Sequence, residues 1–338
     1  MTRTKAILIL LVQLGIASIV SAQQSNLSND YSALLPEVRS INKFLRSQPP
    51  SESALTKEGL QKARNGMKAL AGGKPILPVA EKTIPGPAGN IPVRIFKPDT
   101  IRGVVLDIHG GAWMLGEAST DDHINDEMAR KCKVAIVSVD YRLSPESPFP
   151  ACIEDCKAAA RWLLANAKKE FGTDKIIISG YSAGAHLSAV TALYIRDSLH
   201  AIDKVKGLNL VYGCFDLGRT PSNSNTTDTT LILSKKSMDE VYQIVFRGWP
   251  VEKLRKPEYS PLYANLSGMP PAFFVVGTAD PLLDDTNFME SRWRYAGNKT
   301  YLAIFPEGTH GFNLFPSKMA VAANELMHKW IIETIGKD

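Results

Sequence analysis

Residues 176–187 read IIISGYSAGAHL, an apolar β-branched run, then a serine between two glycines, then a series of small residues. The pattern predicts a strand, a sharp turn and a helix, with Ser182 at the turn. A serine there must adopt a strained backbone conformation that lifts its hydroxyl off the sheet. Gly180 and Gly184 lack the Cβ atoms that would crowd such a turn. Ser182 is therefore a candidate nucleophile if the rest of the chain supplies a base and an acid.

Apolar runs and helical patterns alternate along most of the chain. Eight strands are predicted, at residues 79–84, 91–96, 103–109, 134–139, 175–179, 208–212, 272–277 and 301–305. Pro85-Gly86-Pro87 separates the first two strands and predicts an antiparallel pair, whereas later runs are apolar throughout, as in strands buried on both faces. The alternation predicts an α/β fold, with a mostly parallel, eight-stranded, doubly wound sheet and helices on both faces.

Two regions fall outside this alternation. Residues from about 25 to 75 predict two amphipathic helices ahead of any strand. Residues 215–261 contain no convincing strand but carry an apolar stripe at helical spacing, preceded by a predicted capping box of Ser237 and Glu240. The second region is inserted between two sheet strands, above the carboxyl ends where open sheets bind ligands. We therefore predict that both regions form a helical cap.

A serine hydroxyl needs a base that takes its proton, and the base needs an acid that orients it. Four histidines follow Ser182 in the sequence. His310 lies in a glycine-bounded loop directly after the last predicted strand, where the base is expected. His186 lies one turn along the helix that follows the serine and is expected to pack there. His200 and His328 fall on helical stretches and are expected to be exposed.

The acid is expected in the loop after the preceding strand, because in this arrangement the chain order is serine, acid, histidine. Asp280 comes first off that strand. Asp284 and Asp285 would begin the next helix, where carboxylates cap backbone donors and interact favourably with the helix dipole. Asp280 is therefore the predicted acid.

The transition state of acyl transfer places negative charge on the former carbonyl oxygen, which backbone N–H groups can stabilise. Residues 109–113, after a predicted strand, read HGGAW. Gly110 and Gly111, together with the amide of Ala183, are predicted to form this oxyanion hole. His109 is expected to order the loop by hydrogen bonding. Four further residues are candidate substrate contacts: Ala112, Trp113, Tyr181 and Phe215.

Together these motifs resemble the hormone-sensitive-lipase family of α/β-hydrolases, over most of the chain from about Val93. The resemblance rests on separated motifs, namely HGG at 109–111, DYRLSPE at 140–146, FPA at 149–151, the serine turn, SPL at 260–262, PPA at 270–272, DPL at 280–282 and HGF at 310–312. It implies the α/β-hydrolase fold with a helical cap, carboxylesterase activity, and Ser182, Asp280 and His310 as the triad. Family members often dimerise, so a homodimer is a state that the resemblance allows.

Two positions depart from the family pattern. Ala112 replaces the third glycine of the usual His-Gly-Gly-Gly loop, which keeps the backbone amide but reduces the room beside the acyl or alcohol pocket. Tyr181 replaces the acidic residue that usually precedes the serine, which removes a negative charge there.

Composition bounds the class of protein further. The chain has 338 residues and a net charge of +5, without a basic block interleaved with aromatics, which argues against a nucleic-acid partner. Residues 1–22 have the basic start, apolar run and small-residue end of a signal peptide. We therefore predict cleavage after Ala22 and export to the periplasm or beyond. The remaining residues, 23–338, are predicted to form a single domain. No other stretch predicts a membrane span. Among the four cysteines, Cys152 and Cys156 are spaced one helical turn apart and are expected to be buried thiols on a core-facing helix, with a disulfide between them as the less favoured alternative. No spacing of cysteines and histidines indicates a zinc site.

The leading hypothesis is a serine carboxylesterase that hydrolyses short- to medium-chain esters of small molecules through an acyl-enzyme on Ser182, without a metal or organic cofactor. The same residues could cleave an amide or formamide, or remove acetyl groups from a glycan, and the triad does not separate these substrates. A ligand-binding protein with an inactive site is less favoured, because all three triad positions are present.

Overall fold

The computed structural model describes residues 25–26, 31–49, 52–69 and 72–336, so the predicted signal peptide lies outside the described residues. Within these ranges the nine strands are β1 Ser25–Asn26, β2 Val79–Gly86, β3 Gly89–Phe96, β4 Gly103–Ile108, β5 Val134–Val139, β6 Ile176–Tyr181, β7 Val205–Val211, β8 Ala272–Gly277 and β9 Thr300–Phe305. They form one sheet in the order β1-β9-β8-β7-β6-β4-β5-β3-β2. All eight predicted strands are present, and the short strand β1 was not predicted.

The sheet is parallel except for the β2–β3 and β3–β5 pairs. Every residue of β4, β5, β6 and β8 is buried, which explains their near-continuous apolar sequences. In the register, Ile108 at the end of β4 lies opposite Gly180 near the end of β6. Because carboxyl ends of parallel strands share one edge, the loops that carry the candidate residues emerge together there.

Helices cover both faces of the sheet, as predicted. The α-helices are α1 Leu35–Ser47, α2 Lys57–Ala69, α3 Asp122–Cys132, α4 Ala151–Phe171, α5 Ala183–Asp197, α6 Pro221–Ser224, α7 Lys235–Val245, α8 Val251–Leu254, α9 Leu283–Tyr295 and α10 Lys318–Gly336. Buried side chains of α4, α5 and α9 belong to the apolar cluster on one face, and those of α1, α3 and α10 to the cluster on the other. Along β6, Ile176 and Ile178 belong to the first cluster, whereas Ile177 and Tyr181 belong to the second, following the two-residue period of a strand.

The two regions outside the alternation contact each other. The carboxylate of Glu240 in α7 accepts a hydrogen bond of 2.9 Å from the backbone N–H of Ala54, just before α2. The predicted capping box is therefore wrong: Ser234 is the N-cap of α7, and its hydroxyl accepts from the N–H of Ser237. Glu240 is instead buried against the N-terminal region, a long-range contact that local sequence cannot indicate.

Cys152 and Cys156 are buried and unpaired, as predicted, and so are Cys132 and Cys214. In the part of the chain that the structure describes, no helix has the length and apolarity required to cross a bilayer.

Candidate active site

The turn after β6 has the strained geometry that its sequence predicts. Ser182 has φ 56° and ψ −120°, a conformation that costs a non-glycine residue on the order of 1–3 kcal/mol. A Cβ added to Gly184 would lie 1.9 Å from the carbonyl oxygen of Ile108, and one on Gly180 would lie 2.4 Å from the backbone of Gly184. Both flanking positions therefore require glycine, because α5 starts in direct contact with the end of β4.

Ser182, His310 and Asp280 form a continuous chain of hydrogen bonds. His310 Nε2 lies 2.9 Å from Ser182 Oγ, and His310 Nδ1 lies 2.9 Å and 3.1 Å from the two carboxylate oxygens of Asp280. A carboxylate only accepts, so Nδ1 donates and Nε2 is left to accept the serine hydroxyl. Asp280 and His310 are both buried. The arrangement can move a proton from the serine to the imidazole while a charge on the imidazole is balanced.

The two alternative acids have other partners. Asp285 accepts hydrogen bonds from the backbone N–H groups of Phe215 and Asp216 and from the hydroxyl of Thr220. Its complete burial raises the pKa of this carboxyl to about 7. Asp284 accepts from the N–H of Ser222, 2.7 Å away. Both carboxylates thus fasten the start of the inserted region and do not contact His310.

Of the three remaining histidines after the serine, two have the expected burial and one does not. His186 is fully buried and His200 is exposed, both as predicted, but His200 lies after the end of α5 with a positive φ of 50° and not in a helix. The prediction for His328 is wrong: its side chain is buried between α10 and α3, where burial lowers its pKa to about 4. An apolar face of α10 that includes its neighbours Met327 and Ile331 turns this position toward the core.

The loop at residues 109–113, here called the oxyanion loop, lies against the serine turn. A Cβ on Gly110 would be 3.6 Å from the Cβ of Ser182. Gly111 has φ 116°, a left-handed value that favours glycine. Among the described residues, the N–H groups of Gly110, Gly111 and Ala183 have no protein acceptor, so they are free to bind an oxyanion.

His109 makes the hydrogen bond within the loop that its position predicts. Its Nδ1 donates to the carbonyl of Gly110 at 2.7 Å, and its ring stacks on Tyr141 with centroids 4.1 Å apart. The hydroxyl of Tyr141 in turn donates to the carbonyl of His109 at 2.9 Å. These contacts fix the carbonyl groups of His109 and Gly110 and so hold the backbone of the loop.

The four candidate substrate contacts lie in different environments. Tyr181 is buried on the opposite face of the sheet from the inserted region, and Phe215 is completely buried against Phe274. Neither ring offers a surface to a substrate, because strand alternation and core packing turn both side chains inward. Trp113 is buried as well and packs edge-on against Phe246 of the inserted region, while Ala112 is half-buried.

Helix α1 contacts the loop that carries His310. The side-chain amide of Asn42 donates to the backbone carbonyl of Glu307 at 2.9 Å, and Arg39 pairs with the carboxylate of the same residue. Asn42 is buried, whereas the ion pair is exposed and contributes little. Sequence reasoning missed this contact, since 265 residues separate its partners and no local pattern links them.

A cavity of about 560 Å³ lies beside the oxyanion loop. Gly116 forms part of its wall, and a Cβ there would lie 2.9 Å from the carbonyl oxygen of Gly110. The wall is mostly polar and includes the side chains of Gln61, Asn65 and Asp140. Over the described ranges, no group of three or more His, Cys, Asp or Glu side chains is placed to hold a metal ion.

The serine lies at a strand–turn–helix junction and is hydrogen-bonded to a histidine, which is in turn hydrogen-bonded to a buried aspartate. On a mostly parallel sheet with helices on both faces, this arrangement defines the class of α/β-hydrolases. Comparison with known proteins agrees with this class. The family model described as alpha/beta hydrolase fold matches residues 105–314, and the chain belongs to that family. The resemblance to hormone-sensitive-lipase-type carboxylesterases is confirmed by the relatives.

The chain is 33% identical over 270 residues to the carboxylic ester hydrolase LipN of Mycobacterium tuberculosis, an alignment that covers 77% of this chain and 72% of LipN. It is 35% identical over 229 residues to an arylesterase of Saccharolobus solfataricus, covering 66% of this chain and 73% of that protein. A solved esterase structure from Pyrobaculum calidifontis superposes with a TM-score of 0.77 at 30% identity, covering 87% of this chain and 97% of the esterase. The protein is an ester-hydrolysing enzyme of the α/β-hydrolase family.

Proposed function

We propose that the enzyme hydrolyses short- to medium-chain carboxylic esters through an acyl-enzyme on Ser182. The observation that carries the proposal is the hydrogen-bonded chain from Ser182 through His310 to Asp280, next to three free backbone N–H groups. A chain of this geometry activates a serine hydroxyl without a metal or an organic cofactor.

In the first half-reaction, Ser182 Oγ attacks the ester carbonyl carbon while His310 Nε2 takes the hydroxyl proton. The carbonyl oxygen becomes an oxyanion, which the N–H groups of Gly110, Gly111 and Ala183 stabilise. Collapse of this intermediate breaks the bond to the alcohol, which leaves with the proton from His310. In the second half-reaction, a water molecule gives a proton to His310 Nε2 while its oxygen attacks the acyl carbon. Collapse of this intermediate breaks the bond to Ser182 Oγ, which takes the proton back from His310, and the carboxylic acid is released. Throughout, Asp280 orients the imidazole and balances its charge.

The test is the hydrolysis of 4-nitrophenyl esters with acyl chains of two to sixteen carbons, which are aryl esters. We expect the highest kcat/KM at the short end. Ser182→Ala should lower kcat by roughly 10⁴–10⁶, because triad members act as a unit. The matched control is Ser188→Ala, a buried serine six residues along α5 whose hydroxyl has no partner among the described residues. Full activity of Ser182→Ala, or failure of a fluorophosphonate to modify Ser182, would contradict the mechanism.

A second candidate, which the same triad would perform, is the removal of acetyl groups from sugars or glycans. The polar cavity beside the oxyanion loop is lined by neither Ser182 nor His310 and would hold the rest of the sugar. Amide and carboxylate side chains such as those of Gln61, Asn65 and Asp140 are suited to bind hydroxyl groups of a sugar. Release of acetate from acetylated glucose at a kcat/KM at least equal to that on 4-nitrophenyl acetate would favour this substrate class. A much lower value would favour simple esters.

We also propose that the chain is exported after cleavage of the signal peptide behind Ala22. Expression of the full chain in a bacterial host with a signal peptidase should give a mature protein that begins at Gln23. Recovery of an unprocessed chain from the cytoplasm would contradict it.

A further inference from the structure

His186 connects three parts of the molecule through its two ring nitrogens and its backbone N–H. The indole Nε1–H of Trp113, in the oxyanion loop, donates to His186 Nδ1 at 3.1 Å. His186 Nε2 lies 2.6 Å from the backbone carbonyl oxygen of Tyr259, near the end of the inserted region. The backbone N–H of His186 donates to the carbonyl of Ser182 at 3.2 Å, within the first turn of α5.

These partners define the proton position on the ring. An indole N–H only donates, so Nδ1 must carry a lone pair, and a carbonyl only accepts, so Nε2 must carry the hydrogen. The side chain is fully buried, and this burial lowers its pKa to about 4. His186 is therefore a neutral imidazole of one tautomer at neutral pH.

The loop that His186 holds is strained. Ala112 and Trp113 follow Gly111 with φ values of 51° and 58°, so three consecutive residues have a positive φ. Each non-glycine residue in this region costs about 1–2 kcal/mol. Contacts must offset that cost, and for Trp113 they are the bond to His186, a bond from the N–H of Ser144 to its carbonyl, and its edge-on packing.

We propose that His186 is a positioning residue that acts through Trp113 to keep the N–H groups of Gly110 and Gly111 directed at the developing oxyanion. The inference deepens the proposed function and rests on it. His186 does not touch the reacting atoms. It ties the oxyanion loop to the first turn of the helix that begins at Ser182, so the two halves of the oxyanion hole share one anchor.

The bond to Trp113 carries this role, and the bond to Tyr259 serves the inserted region. Two substitutions of His186 test these two hydrogen bonds separately. His186→Asn places a side-chain oxygen near the position of Nδ1 and keeps the acceptor for Trp113. His186→Gln places an amide nitrogen near the position of Nε2 and keeps the donor to Tyr259 but loses that acceptor. The two side chains are alike in polarity, which makes them a matched pair.

We expect His186→Gln to lower kcat on 4-nitrophenyl acetate by roughly 10- to 100-fold, part of the 10²–10³ that removal of one oxyanion donor costs, with KM changed by less than about threefold. His186→Asn should stay within about threefold of the unsubstituted enzyme. Trp113→Phe retains an aromatic ring, removes the indole donor and should match His186→Gln. The double variant should be no slower than either single variant, because both remove one interaction.

Affinity for a trifluoromethyl ketone, which forms an oxyanion adduct with Ser182, should fall in parallel with kcat across this series. His328→Leu is the control for the loss of a buried neutral histidine, because His328 lies on the other side of the sheet. This variant should have a lower thermal midpoint and an unchanged kcat. The thermal midpoint of each variant shows whether it folds. If a His186 variant does not fold, Trp113→Phe tests the hydrogen bond between Trp113 and His186 from the other side.

Equal kcat for His186→Asn and His186→Gln, or a Trp113→Phe variant within twofold of the unsubstituted enzyme, would overturn the inference. The parent proposal is tested separately by Ser182→Ala. If that variant keeps its activity, the proposed mechanism fails. If it is inactive while the His186 series is uniform, only the positioning role fails.

Discussion

Replacing Asp280 by asparagine preserves the size of the side chain and removes its charge, and the structure specifies which way the new amide must turn. In the native site, Asp280 Oδ1 accepts a hydrogen bond of 2.8 Å from the buried N–H of Leu282, and Oδ2 makes the shorter contact with His310 Nδ1. An asparagine must keep its oxygen on the Leu282 side, because an NH₂ group there would face another donor. Its NH₂ group then faces His310 Nδ1.

That orientation selects the wrong tautomer of His310. A donor opposite Nδ1 requires a lone pair on Nδ1, so the hydrogen moves to Nε2, which can then no longer accept the proton of Ser182. The charge balance is lost as well. Two unit charges about 4 Å apart interact by about 4 kcal/mol at an effective dielectric constant of about 20, equivalent to roughly 10³ in rate. With the tautomer penalty we expect Asp280→Asn to lower kcat by roughly 10³–10⁴.

The assay is kcat on 4-nitrophenyl acetate, with the thermal midpoint of each variant as a check on folding. Asp284→Asn is the matched control: it lies four residues further on, its carboxylate binds the N–H of Ser222, and its substitution should change kcat by less than about threefold. A loss of less than tenfold in Asp280→Asn, or a larger loss in Asp284→Asn, would refute the assignment of the acid.

Three further predictions concern a strained residue, a contact of α1 and two buried histidines. Ala112→Gly should raise the free energy of unfolding by up to about 1 kcal/mol, because the relief of about 1–2 kcal/mol of backbone strain at φ 51° exceeds the entropic cost of glycine. Urea unfolding measures this free energy, and a decrease of more than about 1 kcal/mol would contradict the prediction. Asn42→Ala leaves the carbonyl of Glu307 without its hydrogen-bond donor. We expect it to lower kcat several-fold and the free energy of unfolding by about 1–3 kcal/mol. An unchanged kcat would show that α1 does not position His310. The unfolding free energy should fall as the pH is lowered from about 6.5 to 4. Buried His186 and His328 have pKa values of about 4 and stay neutral in the folded protein over this range, whereas both bind a proton on unfolding. Urea denaturation at a series of pH values measures the effect, and His328→Leu should reduce its slope.

Much of the candidate site could be read from local sequence, since each part depends on a short pattern. Ser182 stands between glycines that the contact of α5 with β4 requires, and Asp280 and His310 each follow a buried strand. Their proximity follows from topology, because parallel strands place their carboxyl ends at one edge. The resemblance to a known family then supplied the activity that the relatives support.

Other features depend on contacts between distant residues, and no local pattern contains them. Glu240 fits a capping box in sequence, yet in the fold its carboxylate binds the N–H of Ala54, and Ser234 caps the helix. His328 was expected at the surface, but the packing of α10 against α3 buries it. Strand alternation sends Tyr181 to the far face of the sheet from the inserted region, away from its neighbour Ser182.

The chain by itself therefore determined the reaction class, the order of the strands and helices along the sequence and the three residues of the expected triad, because these are set by periodicity, turns and spacing. Only the tertiary structure decided which residues hold them in place. Asn42 reaches the loop of His310, and His186 ties Trp113 to the start of α5, across separations of 265 and 73 residues. A hydrogen bond of that kind depends on where two surfaces meet after the sheet has formed, and neither partner carries a sequence signal of the other.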